Sequence, residues 1–431
     1  MKRLKRLLEN KFIKNIVIVA SGTAFAQILT IAMTPIITRI YLPEEYGILS
    51  VYGSLLTLLS IGASLDYQKA IPIAEDDYSA YNLIAGAFFI LFTFIVGLSL
   101  VFTFWGEQVM SLLNSEALID YTYLISLGVL FAGGYNILLH WSLRSKDFKA
   151  ITGTRVTQSI ASNFSKVGLG LIGLGSLGLI IGQIIGQGGG IFRLSFPLLE
   201  KRREIIKDIK WIEIKKLFIR YIKFPLFSAP SNYVYTAGSQ APIIILTILF
   251  GTTTAGLYGL ANSIVSLPIS LLVSSISDVF YSEVASIGKS SPNKIKSLLL
   301  KLSGKLALIG IGPLVVFVSF GPWLFSFVFG QHWYDAGVYA RLLAFVAYAH
   351  FIILPAGRIL EVLEKQSIGL FMNVFGLILI IFTFVSASFF GFTALQTIML
   401  YALASTVNYL LIFIIVQKVL SKECLVHTEI N

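Results

Sequence analysis

The sequence predicts an all-α integral membrane protein with about twelve transmembrane helices. Three observations lead there. Of 431 residues, 56% are apolar and 13% charged, with a mean hydropathy of +0.82. Soluble domains carry about 25% charged residues. The apolar runs, such as 295–321 and 371–390, are long and unbroken. They reach the roughly 20 residues a helix needs to cross hydrocarbon, whereas a β-barrel would show short alternating segments. Finally, lysine and arginine alternate from one connector to the next.

The spans fall at 15–40, 46–66, 79–105, 118–143, 150–174, 177–199, 224–250, 255–281, 300–328, 337–358, 367–390 and 394–417. The start, Met-Lys-Arg-Leu-Lys-Arg, looks like the basic region of a signal peptide. The apolar stretch after Lys14 soon meets Ser21, Thr23 and Gln27 and runs on to Tyr41 without a small-residue cleavage site, so it is expected to be an uncleaved first span. With a cytoplasmic N-terminus, the connectors on that side hold 28 of the 33 lysines and arginines. The opposite connectors (106–117, 175–176, 251–254, 329–336 and 391–393) hold none. One span more or fewer would break this pattern, so both termini are expected in the cytoplasm. The net charge of +11 then belongs to a membrane surface, and no nucleic-acid partner is expected.

Connector 201–223 holds nine basic residues beside Ile205, Ile206, Ile209, Trp211 and Ile212. It suits either an interfacial helix on the anionic leaflet or a topology anchor and linker. It separates an N-terminal six-helix bundle, 1–200, from a C-terminal one, 224–431, which ends in a short cytoplasmic tail. The single cysteine, Cys424, excludes an internal disulfide and a cysteine-rich metal site.

Transporters are often built from two related halves. In the first span Thr23, Gln27, Thr30, Thr34 and Thr38 form one polar stripe, and at a shift of 209 residues they meet Asn232, Thr236, Ser239, Ile243 and Thr247. At the same shift Gly47 meets Gly256 and Ser54 meets Ser263. Two halves of common origin explain this, as do two helices that both face a cavity.

The fifth span carries Arg155, Ser159, Ser162 and Lys166 at i, i+4, i+7 and i+11, one helical face. Such a stripe facing lipid would cost several kcal/mol, so it lines an aqueous cavity or pairs with acids on other helices. Acids are scarce: Asp66, Asp278, Glu283 and Glu361 cluster near the predicted inner span ends. There they are candidates for ion coupling or partners for Lys69 and Lys365. Arg193 lies beyond Gln183 and Gln187 in the sixth span, while Arg39 and Arg341 sit at span ends, where cavity lining competes with snorkelling to the interface. Gly178, Gly182, Gly186 and Gly190 form a four-residue ridge suited to close helix contact. His140, His332, His350 and His427 are scattered, and His140 lies four residues from both Asn136 and Arg144. No metal, nucleotide or nucleophile motif is present, and no cofactor is expected.

Three segments carry a family likeness: Arg39-Ile-Tyr-Leu-Pro-Glu-Glu-Tyr-Gly47 with Ser54; Leu249-Phe-Gly-Thr-Thr-Thr-Ala-Gly-Leu-Tyr258 with Pro268; and Phe329-Gly-Gln-His-Trp-Tyr-Asp-Ala-Gly337 with Arg341. With twelve spans and a basic mid-chain connector, the chain resembles the O-antigen (Wzx-type) flippases of the multidrug/oligosaccharidyl-lipid/polysaccharide exporter superfamily. The resemblance implies two six-helix bundles around a central cleft, working by alternating access in the cytoplasmic (inner) membrane. It implies a cargo of oligosaccharide on undecaprenyl diphosphate, for O-antigen or capsule, and implies a polysaccharide polymerase and chain-length regulator as partners. The family's cationic cavity falls on Arg155 and Lys166, then Arg39, Arg193 and Arg341, with Ser159, Ser162, Gln27 and Thr236 as sugar-binding groups. Two alternatives stand beside this: a multidrug or metabolite cation antiporter, which would need acids deep in its cavity, and an intramembrane glycan polymerase, which would need external loops or catalytic carboxylates.

Overall fold

The structure is a computed structural model and describes residues 11–200, 202–287, 292–363 and 365–430. Among them the long elements are all helices: α1 (Lys11–Ile40), α2 (Pro43–Gly62), α3 (Asp77–Leu112), α4 (Thr122–Arg144), α5 (Phe148–Leu171), α6 (Gly175–Gly188), α7 (Ile191–Glu200), α8 (Arg202–Asp208), α9 (Trp211–Arg220), α10 (Ala229–Ile287), α11 (Pro292–Phe329), α12 (Tyr334–Val362), α13 (Gln366–Phe389) and α14 (Ala394–Ile430). Ten described segments are long and apolar enough to cross a membrane. One of them, Phe224–Leu267, has 44 residues and contains both the predicted seventh span and the start of the eighth. The 24-residue α5 falls outside the ten because Arg155, Lys166 and its hydroxyl and amide side chains lower its hydropathy. About twelve membrane-crossing helices follow, and the protein is a multi-pass membrane protein.

Local chemistry sets the helix ends. Pro43 opens α2, and the Glu45 carboxylate accepts the Leu42 N–H at 2.7 Å. Asp76 and Asp147 cap α3 and α5 by accepting backbone N–H groups at 2.8 and 3.0 Å. One departure from the predicted spans has a physical cause. Residues 177–199, expected as one span, form α6 and α7 with a break at Gly189–Gly190, and Gly190 lies tight against the Thr154 side chain. The seventh and eighth spans, by contrast, agree: α10 consists of two helices that meet at Gly251 (φ 82°, ψ 176°), inside the predicted connector 251–254. That backbone conformation suits glycine and strains other residues.

The chain forms two compact units. One runs to Thr236 and takes in Gly251–Thr253; the other holds Ala237–Phe250 and everything from Thr254. In the first unit the basic connector is docked. Ile214 and Leu217 of α9 are buried, Phe218 packs against Gly86 of α3, and Trp211 meets Phe89 edge-on at 5.1 Å. Asn82 of α3 fixes the α8–α9 corner, donating to the Asp208 carbonyl at 3.0 Å and accepting the Lys210 N–H at 2.9 Å. The opposite face of α9 leaves Trp211, Ile212 and Ile219 exposed beside Lys215 and Lys216, the pattern of an interfacial helix. In the second unit, side chains of α10 to α14, among them Val284, Leu299, Ile359, Met372 and Val416, share one buried core.

Candidate functional site

The site is a polar seam inside the first unit, where α5 packs between α1 and α6. The glycine ridge makes this packing possible. A Cβ added at Gly182 would lie 2.5 Å from Lys166 Cγ, and one at Gly186 would lie 2.5 Å from Ser162 Cβ. The α6 backbone therefore rests directly against the stripe of α5, as small residues allow.

Both long cations of the stripe point into this seam. The Arg155 guanidinium donates to Thr23 Oγ1 on α1 and also interacts with Tyr135 on α4. Ser159 donates to the Ala26 carbonyl at 2.8 Å and lies 3.0 Å from the Thr30 hydroxyl. Asn163 reaches the same Thr30 hydroxyl at 3.2 Å. Lys166 Nζ donates to Gln183 Oε1 on α6 at 2.7 Å, and its carbonyl accepts from Tyr41 OH at 2.6 Å. Gln158 donates to the Gln187 carbonyl at 3.2 Å.

The electrostatics follow from the partners. Among the described residues no carboxylate lies within ion-pair distance of Arg155 or Lys166. Each half-buried cation is held by neutral oxygens, so its charge is oriented but not neutralised. One unit charge brought to about 4 Å gains roughly 4 kcal/mol at the effective dielectric of such sites. Arg155 lies seven residues into α5 and Lys166 eighteen, which separates their Cα atoms by about 16 Å along the axis. Their side chains reach different helices, α1 and α6.

The other expected residues lie as follows. Ser162 belongs to the seam, against Gly186. Gln27 is half-buried on α1, on the face that carries Thr23 and Thr30. Arg193 is exposed on α7, its guanidinium against Gly153 of α5, on another side of α5 from Arg155. Arg39 is exposed at the end of α1. Thr236 is half-buried at the last position of the first unit. Arg341 is exposed on α12 of the second unit and donates to the Ser319 carbonyl at 3.3 Å. The seam thus gathers Arg155, Ser159, Ser162 and Lys166, and does not gather Arg39, Arg193 or Arg341.

The acids sit elsewhere. Asp66 is 3% exposed, just beyond α2, and its Oδ2 accepts from Lys69 at 2.8 Å, Ser228 at 2.7 Å and Asn232 at 2.6 Å. Close by, Tyr67 stacks on Phe218 at 4.3 Å, and Arg144 holds the Ala74 carbonyl at 2.7 Å and the Asp77 carboxylate at 3.0 Å. Glu283 is exposed on α10. The side chains of Asp278 and Glu361 lie outside the described residues. Lys365 pairs with Glu423 at 3.1 Å.

Asn163, Gln158 and Tyr41 are members of the seam that the Arg155–Lys166 spacing does not include. Thr152, Ser159 and Asn163 do repeat at i, i+7 and i+11 on the flank of that stripe, and Thr152 donates to the Ile18 carbonyl at 3.2 Å.

Comparison with solved structures gives the class. The fold resembles an inward-facing multidrug resistance MATE family transporter of the MOP superfamily (TM-score 0.74, 14% identity, covering 92% of this chain and 95% of that one). It also resembles the lipid II flippase MurJ in an inward closed conformation (TM-score 0.70, 15% identity, covering 96% and 91%). The chain therefore shares the fold of these two proteins. Residues 36–338 match the family model for polysaccharide biosynthesis proteins, and the chain belongs to that family. Among curated proteins it is 25% identical over 191 residues to the teichuronic acid biosynthesis protein TuaB of Bacillus subtilis (strain 168). That alignment spans 44% of this chain and 39% of the relative.

Proposed function

We propose that this protein is a flippase that carries an oligosaccharide linked to undecaprenyl diphosphate from the inner to the outer leaflet of the cytoplasmic membrane. The observation that carries the proposal is the pair Arg155 and Lys166, half-buried in a polar seam with only neutral partners. A diphosphate supplies the missing negative charge, and arginine offers its oxygens a planar fork of donors. Serine, threonine, asparagine and glutamine around the cations suit sugar hydroxyls. Arg155 lies near the end of α5 that follows the basic connector 144–149 and meets the head group first; Lys166 lies about three turns further on. The lipid tail stays in the bilayer.

In this account the polar head passes by alternating access, both termini are cytoplasmic, and no bond of the cargo is made or broken. A polysaccharide polymerase and chain-length regulator take the cargo on the far side. A cation exporter would need a carboxylate where α5 places its cations.

The test is replacement of Arg155 and Lys166 together by alanine in the native host. Surface glycan is lost while the protein remains inserted at its normal level. Unchanged glycan would contradict the assignment.

A further inference from the structure

The second unit contains an ionisable site that the cationic seam leaves unexplained. His350 lies in the middle of α12, sixteen residues or about 24 Å from its start at Tyr334. It is the one Asp, Glu, His, Lys or Arg between Arg341 and Arg358, while 237–277, 306–331 and 366–417 contain none. An ionisable residue at such depth is expensive in hydrocarbon and marks function more often than packing.

Its surroundings are polar and aromatic. The imidazole is half-buried and stacks on Tyr409 of α14, with ring centroids 4.8 Å apart and planes 14° from parallel. Among the described residues no hydrogen bond occupies either ring nitrogen. Nearby, Tyr258 of α10 meets Tyr401 of α14 edge-on, with ring centroids 6.2 Å apart and planes at 70°. Ser405, one turn beyond Tyr401, is buried as well. Tyr401 and Tyr409 stand about 10 and 22 Å along α14 from its start at Ala394.

No charged side chain competes at this site among the described residues. On α11, Lys301 and Lys305 are exposed, and the α11 backbone beside His350 accepts from Tyr348 at the Ala307 carbonyl. On α13, Gln366–Phe389 contains no acid or base, and neither does 394–417 of α14. Glu283 of α10 is exposed, and the side chains of Asp278, Arg358 and Glu361 lie outside the described residues.

We propose that His350, stacked on Tyr409 in the middle of its span, is a proton-binding site that couples a proton gradient to the transport cycle. The imidazole takes one proton on a free ring nitrogen and releases it unchanged, with no other bond altered. Proton uptake changes the charge of a group that alternating access exposes to each side in turn, so protonation and conformation are linked. Coupling rests on the flippase reading; the proton site itself does not.

The test uses the full chain in lipid nanodiscs with labelled histidine. The sequence has four histidines, and His350→Phe assigns the resonance of interest. That resonance is expected to shift as the imidazole takes up a proton, and Tyr409→Phe is expected to move its midpoint. The second readout is transport of fluorescent undecaprenyl-diphosphate-linked chitobiose in proteoliposomes. A gradient of one pH unit, carried by one proton per cycle, shifts the steady-state distribution tenfold; His350→Phe and His350→Gln are both expected to abolish that shift. A resonance that stays constant from pH 4 to 9, or a tenfold shift that survives both substitutions, overturns the proposal. If the native protein does not move the probe, the flippase reading falls, and the titration alone decides for or against the site.

Discussion

Replacing Asp66 by alanine probes how the first unit is tied together. One carboxylate oxygen accepts three hydrogen bonds, from Lys69 Nζ at 2.8 Å, Ser228 Oγ at 2.7 Å and Asn232 Nδ2 at 2.6 Å. Two of the donors come from the first turns of the seventh span, about 160 residues away in sequence. Hydrogen bonds to a charged group are worth about 1.5–3 kcal/mol each. Lys69 is 35% exposed at its side chain, so water screens part of its share. Removing the buried acceptor also strands the half-buried Ser228 and Asn232 donors, and breaking such a site costs about 3–5 kcal/mol. Native-state hydrogen exchange reads this locally. Protection of the Tyr67–Ile73 turn and of residues 225–232 is expected to fall by about two to three orders of magnitude, since 1.4 kcal/mol is tenfold. Protection in α5 and α6 is expected to change little, because those helices do not touch the carboxylate. A fall of less than fivefold at both segments would refute the structural role and return Asp66 to the acids considered for ion coupling.

Two further perturbations follow from the geometry. Gly186→Leu places a branched side chain against Ser162, where a single Cβ already sits at 2.5 Å; overpacking of this kind costs about 1–3 kcal/mol, and denaturant unfolding in mild detergent is expected to show it, whereas Gly97→Leu at an open position is expected to be silent. Arg220 donates to Glu75 at 2.6 Å and holds that carboxyl below its usual range, chiefly through this hydrogen bond. A depressed carboxyl stabilises the fold above its unfolded-state value and loses that contribution as pH falls through its folded-state value. Arg220→Ala is therefore expected to lower thermal stability slightly at pH 7 and not at pH 3, and high salt is expected to erase the difference because both groups are exposed.

The membrane helices were legible because the hydrocarbon core demands long apolar runs. The break at Gly189–Gly190 was not, since glycine within an apolar run serves a packed helix as readily as an interrupted one. It takes the contact with Thr154 to distinguish them. The stripe Arg155, Ser159, Ser162 and Lys166 was readable from helical spacing alone. What it faces was not: Thr23, Thr30 and Gln183 become partners only through the packing of α1 and α6 against α5. Asn163 points to α1 from the flank of the stripe, outside any single-face pattern. Asp66 read as one of four interfacial acids, because its partners Ser228 and Asn232 carry no signal linking them to it across the intervening chain. Arg193 and Arg341 show the converse: charge within a predicted span did not bring either of them into the seam.

The most direct measurement is binding of undecaprenyl diphosphate to the purified protein in nanodiscs, compared with undecaprenol, which has the same tail and no charge. The account predicts that Arg155→Ala and Lys166→Ala each weaken diphosphate binding by at least tenfold, about 1.4 kcal/mol, and leave undecaprenol binding unchanged, with the loss shrinking as salt rises. Equal affinity of the native protein and the double variant for the diphosphate would contradict it.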